Sequence, residues 1–170
     1  MMKHINCILL IDDNPADNRF HEIRIKKADV CNHIHVARSG PEALEYIIKA
    51  GGQNEPESPT SDPSGMADVQ VGFPKADLIF LDINMPGMNG FEFLEEYKKL
   101  DEKLKSKVVI VMLTNSLNPE DQKRALATKE VAEFQNKPLS VKTLQDIIAK
   151  YFLTIQEDKN VLVQNDLLSK

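Results

Sequence analysis

The chain has 170 residues, 42% of them hydrophobic, with 21 Lys plus Arg against 26 Asp plus Glu and a formal net charge of -5. That suits a single domain with one core, and the acidic balance argues against a phosphate-backbone binder, whose mark is a basic patch, so no direct nucleic-acid contact is expected. No apolar run approaches the roughly 18 residues of a membrane span and no secretory leader is evident, which predicts a cytoplasmic protein without membrane insertion. Cys7 and Cys31 are the only cysteines; they lack metal-site spacing and read as two packed thiols in a reducing compartment.

Cys7 to Ile11 is continuously apolar, the pattern of a strand buried on both faces of a parallel sheet. Asn14 before Pro15 predicts the start of a first helix, with Ala16, Phe20, Ile23 and Lys27 at helical spacing. Ile34 to Ala37 is a second strand, and Ser39 with Glu42 predicts a capping box ahead of Ala43, Leu44, Ile47 and Ile48. Residues 51–76, rich in Gly, Pro, Ser and acids without a period, read as a flexible insertion. Leu78 to Leu81 is the third strand. Phe91, Leu94, Tyr97 and Leu100 recur every three residues and predict the third helix. Val108 to Leu113 is the fourth strand, Asn118-Pro119 opens the fourth helix, and Val131 to Phe134 is the fifth strand. Ser140 opens a last helix with Val141, Leu144, Ile147, Ile148 and Tyr151 on one side, and 154–170 is a polar tail. The alternation predicts a doubly wound five-stranded α/β sheet with helices on both faces.

In such a sheet ligands bind beyond the carboxyl ends of the strands. Strand one runs into Asp12 and Asp13, strand three into Asp82, strand four into Thr114, and strand five towards Lys137. With strand order 2-1-3-4-5, three carboxylates meet at the switch point, where like charges repel and raise one another's pKa. A hard divalent cation relieves that repulsion, and Mg²⁺ takes carboxylates, waters and phosphate oxygens. Lys137 and the Thr114 hydroxyl then suit the remaining oxygens of a phosphoryl group, and Asp82 suits an aspartyl phosphate, because phosphoryl transfer depends mainly on positioning and charge neutralisation.

The stretches ILLIDDNPADNRF, LIFLDINMPGMNGFEFL, VVIVMLTNS and FQNKPLS closely resemble the receiver domains of two-component response regulators, in order and at the expected strand ends. The resemblance covers Asn6 to about Phe152 apart from the insertion, and it implies a flavodoxin-like fold. It implies Asp82 as phosphoacceptor, Asp13 as a direct Mg²⁺ ligand, Asp12 as its acidic partner, and the Asn84 main-chain carbonyl as a further ligand. Lys137 and Thr114 are implied as phosphoryl-binding groups, with Thr114 and Phe134 as the residues that move on activation. Pro86 and Gly90 resemble turn residues of the loop after the phosphoacceptor, Gly90 supplying unusual dihedrals, and Lys137-Pro138 resembles a cis peptide site. Asn115, after Thr114, departs from the Ala or Gly of many receivers and places a bulkier side chain near the site mouth. Asn84 and Ser116 occupy the two variable positions linked to phosphoryl lifetime, and neither is ionisable.

Four histidines, His4, His21, His33 and His35, tempt a metal reading, but His33 and His35 alternate along a strand and His21 lies on a helix. The resemblance implies a stand-alone receiver spanning residues 1–153, without an output domain in 154–170. Its partners are then a sensor histidine kinase or histidine phosphotransfer protein, of the kind associated with phytochrome-like and hybrid kinases. The output is a phosphorylation-dependent protein contact or a homodimer through the last two helices and strand five. The competing reading is a Mg²⁺-dependent phosphatase or phosphotransferase with an aspartate nucleophile. Such enzymes usually carry a second Asp two residues on, where this chain has Asn84. Flavodoxin-like cofactor binding fares worse, since no hydroxyl- and glycine-rich phosphate loop follows strand one. Of the net -5, residues 51–76 hold -3 and the tail -1, so the remaining chain is nearly balanced.

Overall fold

The computed structural model describes residues 4–52, 72–105 and 107–153. In chain order these form β1 (Ile5–Ile11), α1 (Pro15–Ala28), β2 (Cys31–Ala37), α2 (Gly40–Gly52), β3 (Leu78–Asp82), α3 (Gly90–Lys98), a short α4 (Glu102–Lys105), β4 (Val109–Thr114), α5 (Pro119–Ala127), β5 (Val131–Asn136) and α6 (Val141–Ile148). A π-helical turn over Ala149–Leu153 prolongs α6. All five strands are parallel, as the alternating pattern predicts, and their order β2-β1-β3-β4-β5 is the one that the flavodoxin-like resemblance implies.

The continuous apolar runs have the expected cause. On one face Leu9, Ile11, Ile79, Leu81, Ile110 and Met112 pack with Ala43, Tyr46 and Ile47 of α2 and Phe93, Leu94 and Tyr97 of α3. On the other, Ile8, Leu10, Leu78, Phe80, Val111 and Leu113 pack with Ile25 of α1 and Leu144, Ile147 and Ile148 of α6. Successive residues of one strand serve opposite layers, so none is free to be polar. Each such side chain contributes about 1.5–3 kcal/mol through removal from water.

Helix starts follow the capping chemistry. The Asn14 side chain accepts from the backbone N–H groups of Ala16 and Asp17, Asn118 accepts from Glu120, and Ser140 from Thr143. At α2 the expected box is incomplete: Ser39 Oγ accepts from Glu42 N, but the Glu42 carboxylate accepts from Arg38 N rather than from Ser39 N. The reciprocal box lies instead at Asn89 and Glu92 on α3.

The apolar residues that mark α1 in the sequence do not form its inner face. Phe20 and Ile23 point outward, 37% and 52% exposed, and Asn18, His21, Ile25 and Ala28 face the sheet. Two polar residues turned the true face into one that hydropathy alone misses. The helix α4 was not expected either. Residues 53–71, most of the predicted insertion, and the tail 154–170 lie outside the described residues. Gly51 and Gly52, placed in that insertion by their composition, instead complete α2. Its far end packs on the fold: Tyr46 Oη donates to the Pro74 carbonyl at 2.5 Å, the Phe73 ring meets Tyr46 edge-on, and Ala76 is buried. Among the described residues no helix is long and apolar enough to cross a membrane.

Candidate functional site

The carboxyl ends of β1, β3, β4 and β5 bring Asp12, Asp82, Thr114 and Lys137 to one edge of the sheet. Asp12, Asp82 and Thr114 are 4%, 6% and 0% exposed, the only buried polar residues at strand ends among the described residues. One carboxylate oxygen from each of Asp12, Asp13 and Asp82 lies within 4.8 Å of the others. Lys137 reaches into this group from the end of β5, with Nζ 2.5 Å from Asp12 Oδ2, 2.9 Å from Asp17 Oδ2 and 3.2 Å from Asp82 Oδ1.

The surrounding backbone fixes these groups. Asp12 N donates to the Ala37 carbonyl, Asp12 Oδ1 accepts from Asn14 N at 2.9 Å, and the Asp12 carbonyl accepts from Asn18 Nδ2 at 2.7 Å. Lys137 N donates to the Thr114 carbonyl, tying the ends of β4 and β5 together. Thr114 Oγ1 accepts from Ser116 N at 2.9 Å, which leaves the hydroxyl proton available to an acceptor. Ser116 Oγ in turn donates to Asp121 Oδ2 in the first turn of α5 at 2.9 Å.

Burial pushes the Asp82 carboxyl up to about 6, with the Asp12 charge adding to the rise and Lys137 opposing it. For Lys137 burial works against the charge, but its hydrogen bonds to Asp12 and Asp17 and the charge of Asp82 outweigh burial and raise its pKa. The Lys137 shift follows from one ammonium serving three carboxylates, and the Asp82 shift from burial that Lys137 only partly offsets. With Asp13 alongside, the negative charge stays in excess. All the donors are oxygens, and Asp13 is half-buried, so the residues present fit a hard, partly hydrated cation such as Mg²⁺.

The loop after Asp82 shows a division of labour between glycines. Gly87 holds the left-handed dihedral, at φ 77°, while a Cβ on Gly90 would lie 2.5 Å from the Asp82 carbonyl oxygen. Gly90 is therefore needed for close approach, not for the unusual dihedral expected of it. Its N–H donates to the Ile83 carbonyl, and Met88 N donates to the carbonyl of exposed Pro86. Lys137-Pro138 is cis, as the resemblance implied.

The remaining expected residues lie farther out. Asn84 is exposed on the loop after β3, and Asn115 is exposed beyond Thr114. Phe134, half-buried on β5, pairs in register with Met112 and packs on the α2–α3 side of the core. His21 is buried and Nε2 accepts from Leu139 N at 3.4 Å, His35 stacks on Tyr46, His4 lies 3.5 Å from Asp29, and His33 is exposed. Sequence reasoning missed Asp17 and Asn18. Their signal was the predicted cap itself, since a helix starting at Pro15 beside the end of β1 places its first turn over Asp12.

The comparisons with known proteins agree with this geometry. The model of the response regulator receiver domain matches residues 61–149. Two-component response regulator ARR17 of Arabidopsis thaliana is 31% identical over 140 residues, covering 82% of this chain and 80% of that protein. A two-component response regulator from Cytophaga hutchinsonii superposes with a TM-score of 0.71 at 27% identity, covering 88% of this chain and 98% of that one. The bacteriophytochrome response regulator AtBRR gives 0.60 at 26% identity, covering 88% and 95%. The chain belongs to the response regulator receiver family, the phosphorelay component of two-component systems.

Proposed function

We propose that this chain is a phosphorylation switch in which Asp82 accepts a phosphoryl group from the phosphohistidine of a sensor kinase or a histidine phosphotransfer protein. The observation that carries the reading is the buried Asp82 carboxylate 3.2 Å from Lys137 Nζ, beside two further carboxylates. An Asp82 oxygen attacks phosphorus, the P–N bond of the donor breaks, and the imidazole departs with the electron pair and takes up a proton. The product is an acyl phosphate. Asp12, Asp13 and Asp82, with the Asn84 carbonyl, would hold a Mg²⁺ ion, which would supply charge neutralisation to the phosphoryl group. Lys137 offers its ammonium to another of those oxygens, and Thr114 its free hydroxyl proton.

The readout follows from the same residues. Thr114 is linked through Ser116 to Asp121, so turning its hydroxyl towards a phosphoryl group breaks the Ser116 contact and releases the start of α5. Phe134 on the neighbouring strand then changes its packing, and a protein target or a second copy reads the altered α5–β5–α6 face. We assign residues 1–153 to the receiver, with an insertion within 51–76 and a tail at 154–170, and place the protein in the cytoplasm.

A radiolabelled phosphohistidine donor protein tests this. With Mg²⁺ the label should pass to this chain and be released by mild alkali, and chelation should abolish transfer. Sustained phosphomonoester hydrolysis without a labelled protein intermediate would instead favour a small-molecule phosphatase.

A further inference from the structure

Lys137 has three N–H donors, and three carboxylates compete for them. Its hydrogen bonds run to Asp12 Oδ2 at 2.5 Å and Asp17 Oδ2 at 2.9 Å, whereas Asp82 Oδ1 is the longest contact at 3.2 Å. The ammonium thus sits nearer to Asp12 and to Asp17 of α1 than to Asp82. Asp12 and Asp17 differ in what else they serve. Asp12 shares the trio of carboxylates suited to a cation, and Asp17 stands outside that trio.

Asp17 is also well fixed. It sits in the first turn of α1, its N–H donates to the Asn14 side chain at 3.3 Å, and its side chain is 30% exposed. A carboxylate there is favoured by the helix N-terminus, so its position does not depend on Lys137 alone.

We propose that Asp17 is a positioning residue that draws Lys137 away from Asp82 and so restrains phosphorylation of this chain. The inference rests on the reading of Asp82 as phosphoacceptor. Two effects of Asp17 carry the same sign. An ammonium shared with Asp17 has one fewer N–H for a phosphoryl oxygen, and the Asp17 charge itself opposes a phosphoryl dianion gathering on the other side of Lys137. Neutralising Asp17 relieves both. A purely structural role, tying α1 to the loop that carries Lys137, has the opposite consequence, because a loosened Lys137 would serve the reaction worse.

The test compares wild type, Asp17→Asn and Asp17→Glu as full chains at saturating Mg²⁺, with acetyl phosphate as donor and intact mass as readout. Asp17→Asn should gain its phosphoryl group on the order of three- to tenfold faster than wild type. Asp17→Glu keeps the charge and should stay within about twofold of wild type. Slowed or unchanged gain in Asp17→Asn, or equal acceleration by Asn and Glu, would overturn the role of Asp17. Failure of wild type to be labelled at Asp82 would remove the reading beneath it as well, so the two failures are distinguishable.

Discussion

Helices α5 and α6 lie on either side of β5 but are held by different forces. Helix α6 buries Leu144, Ile147 and Ile148, and Phe152 extends the contact beyond it. Helix α5 buries only Ala125, leaving Leu126 56% exposed and Leu117, just ahead of it, 89% exposed. Beyond Ala125, what holds α5 is polar: the Asn118 cap, the Ser116–Asp121 hydrogen bond and the Arg124 guanidinium 4.0 Å over the Phe91 ring of α3. Phe91 follows Gly90, where a Cβ would lie 2.5 Å from the Asp82 carbonyl oxygen, so α5 is connected to the site from two sides. Apolar burial resists small perturbations, and a few polar contacts can be exchanged at low cost. On the reading proposed above, the weakly held helix is the one that phosphorylation of Asp82 moves.

Substitutions can break that contrast. The largest effect is expected at Leu144→Ala, a fully buried site, which should cost about 2–5 kcal/mol in denaturant melts. Next comes Asp82→Asn, measured without divalent cations. Because the folded carboxyl titrates near 6 instead of 3.8, the folded state binds its proton more tightly than the unfolded chain does, and wild type loses stability as pH rises from about 4 to 6. The Asn variant should be more stable than wild type above pH 6, by up to about 3 kcal/mol, with the gap closing below pH 4. Arg124→Ala removes one cation–π contact of about 0.5–1 kcal/mol and should speed amide exchange in α5 about two- to fivefold while leaving α6 unchanged. The smallest effect is expected at Leu126→Ala, within about 0.5 kcal/mol. A Leu126→Ala cost matching that of Leu144→Ala would show that α5 is packed like α6.

The sheet was legible because both-face burial leaves an unmistakable mark: CILLI and VVIVML have no polar residue to spare. The site was legible for a related reason, since strand ends are few and Asp12, Asp13, Asp82, Thr114 and Lys137 occupy them. Hydropathy failed where buried polar groups carry the packing. Asn18 and His21 face the sheet because one bonds the Asp12 carbonyl and the other accepts from Leu139 N, so α1 turns its apolar Phe20 and Ile23 outward. Asp17 was overlooked because its partner, Lys137, is 120 residues away. The roles of Gly87 and Gly90 could not be separated from spacing, since one answers to a dihedral and the other to a neighbouring carbonyl.

The most direct measurement is intact mass after incubation with Mg²⁺ and acetyl phosphate, for wild type and Asp82→Asn side by side. Wild type should gain the mass of one phosphoryl group and Asp82→Asn none. A wild type that stays unlabelled, or an Asp82→Asn variant labelled to the same extent, would contradict the assignment of Asp82 as the phosphoacceptor.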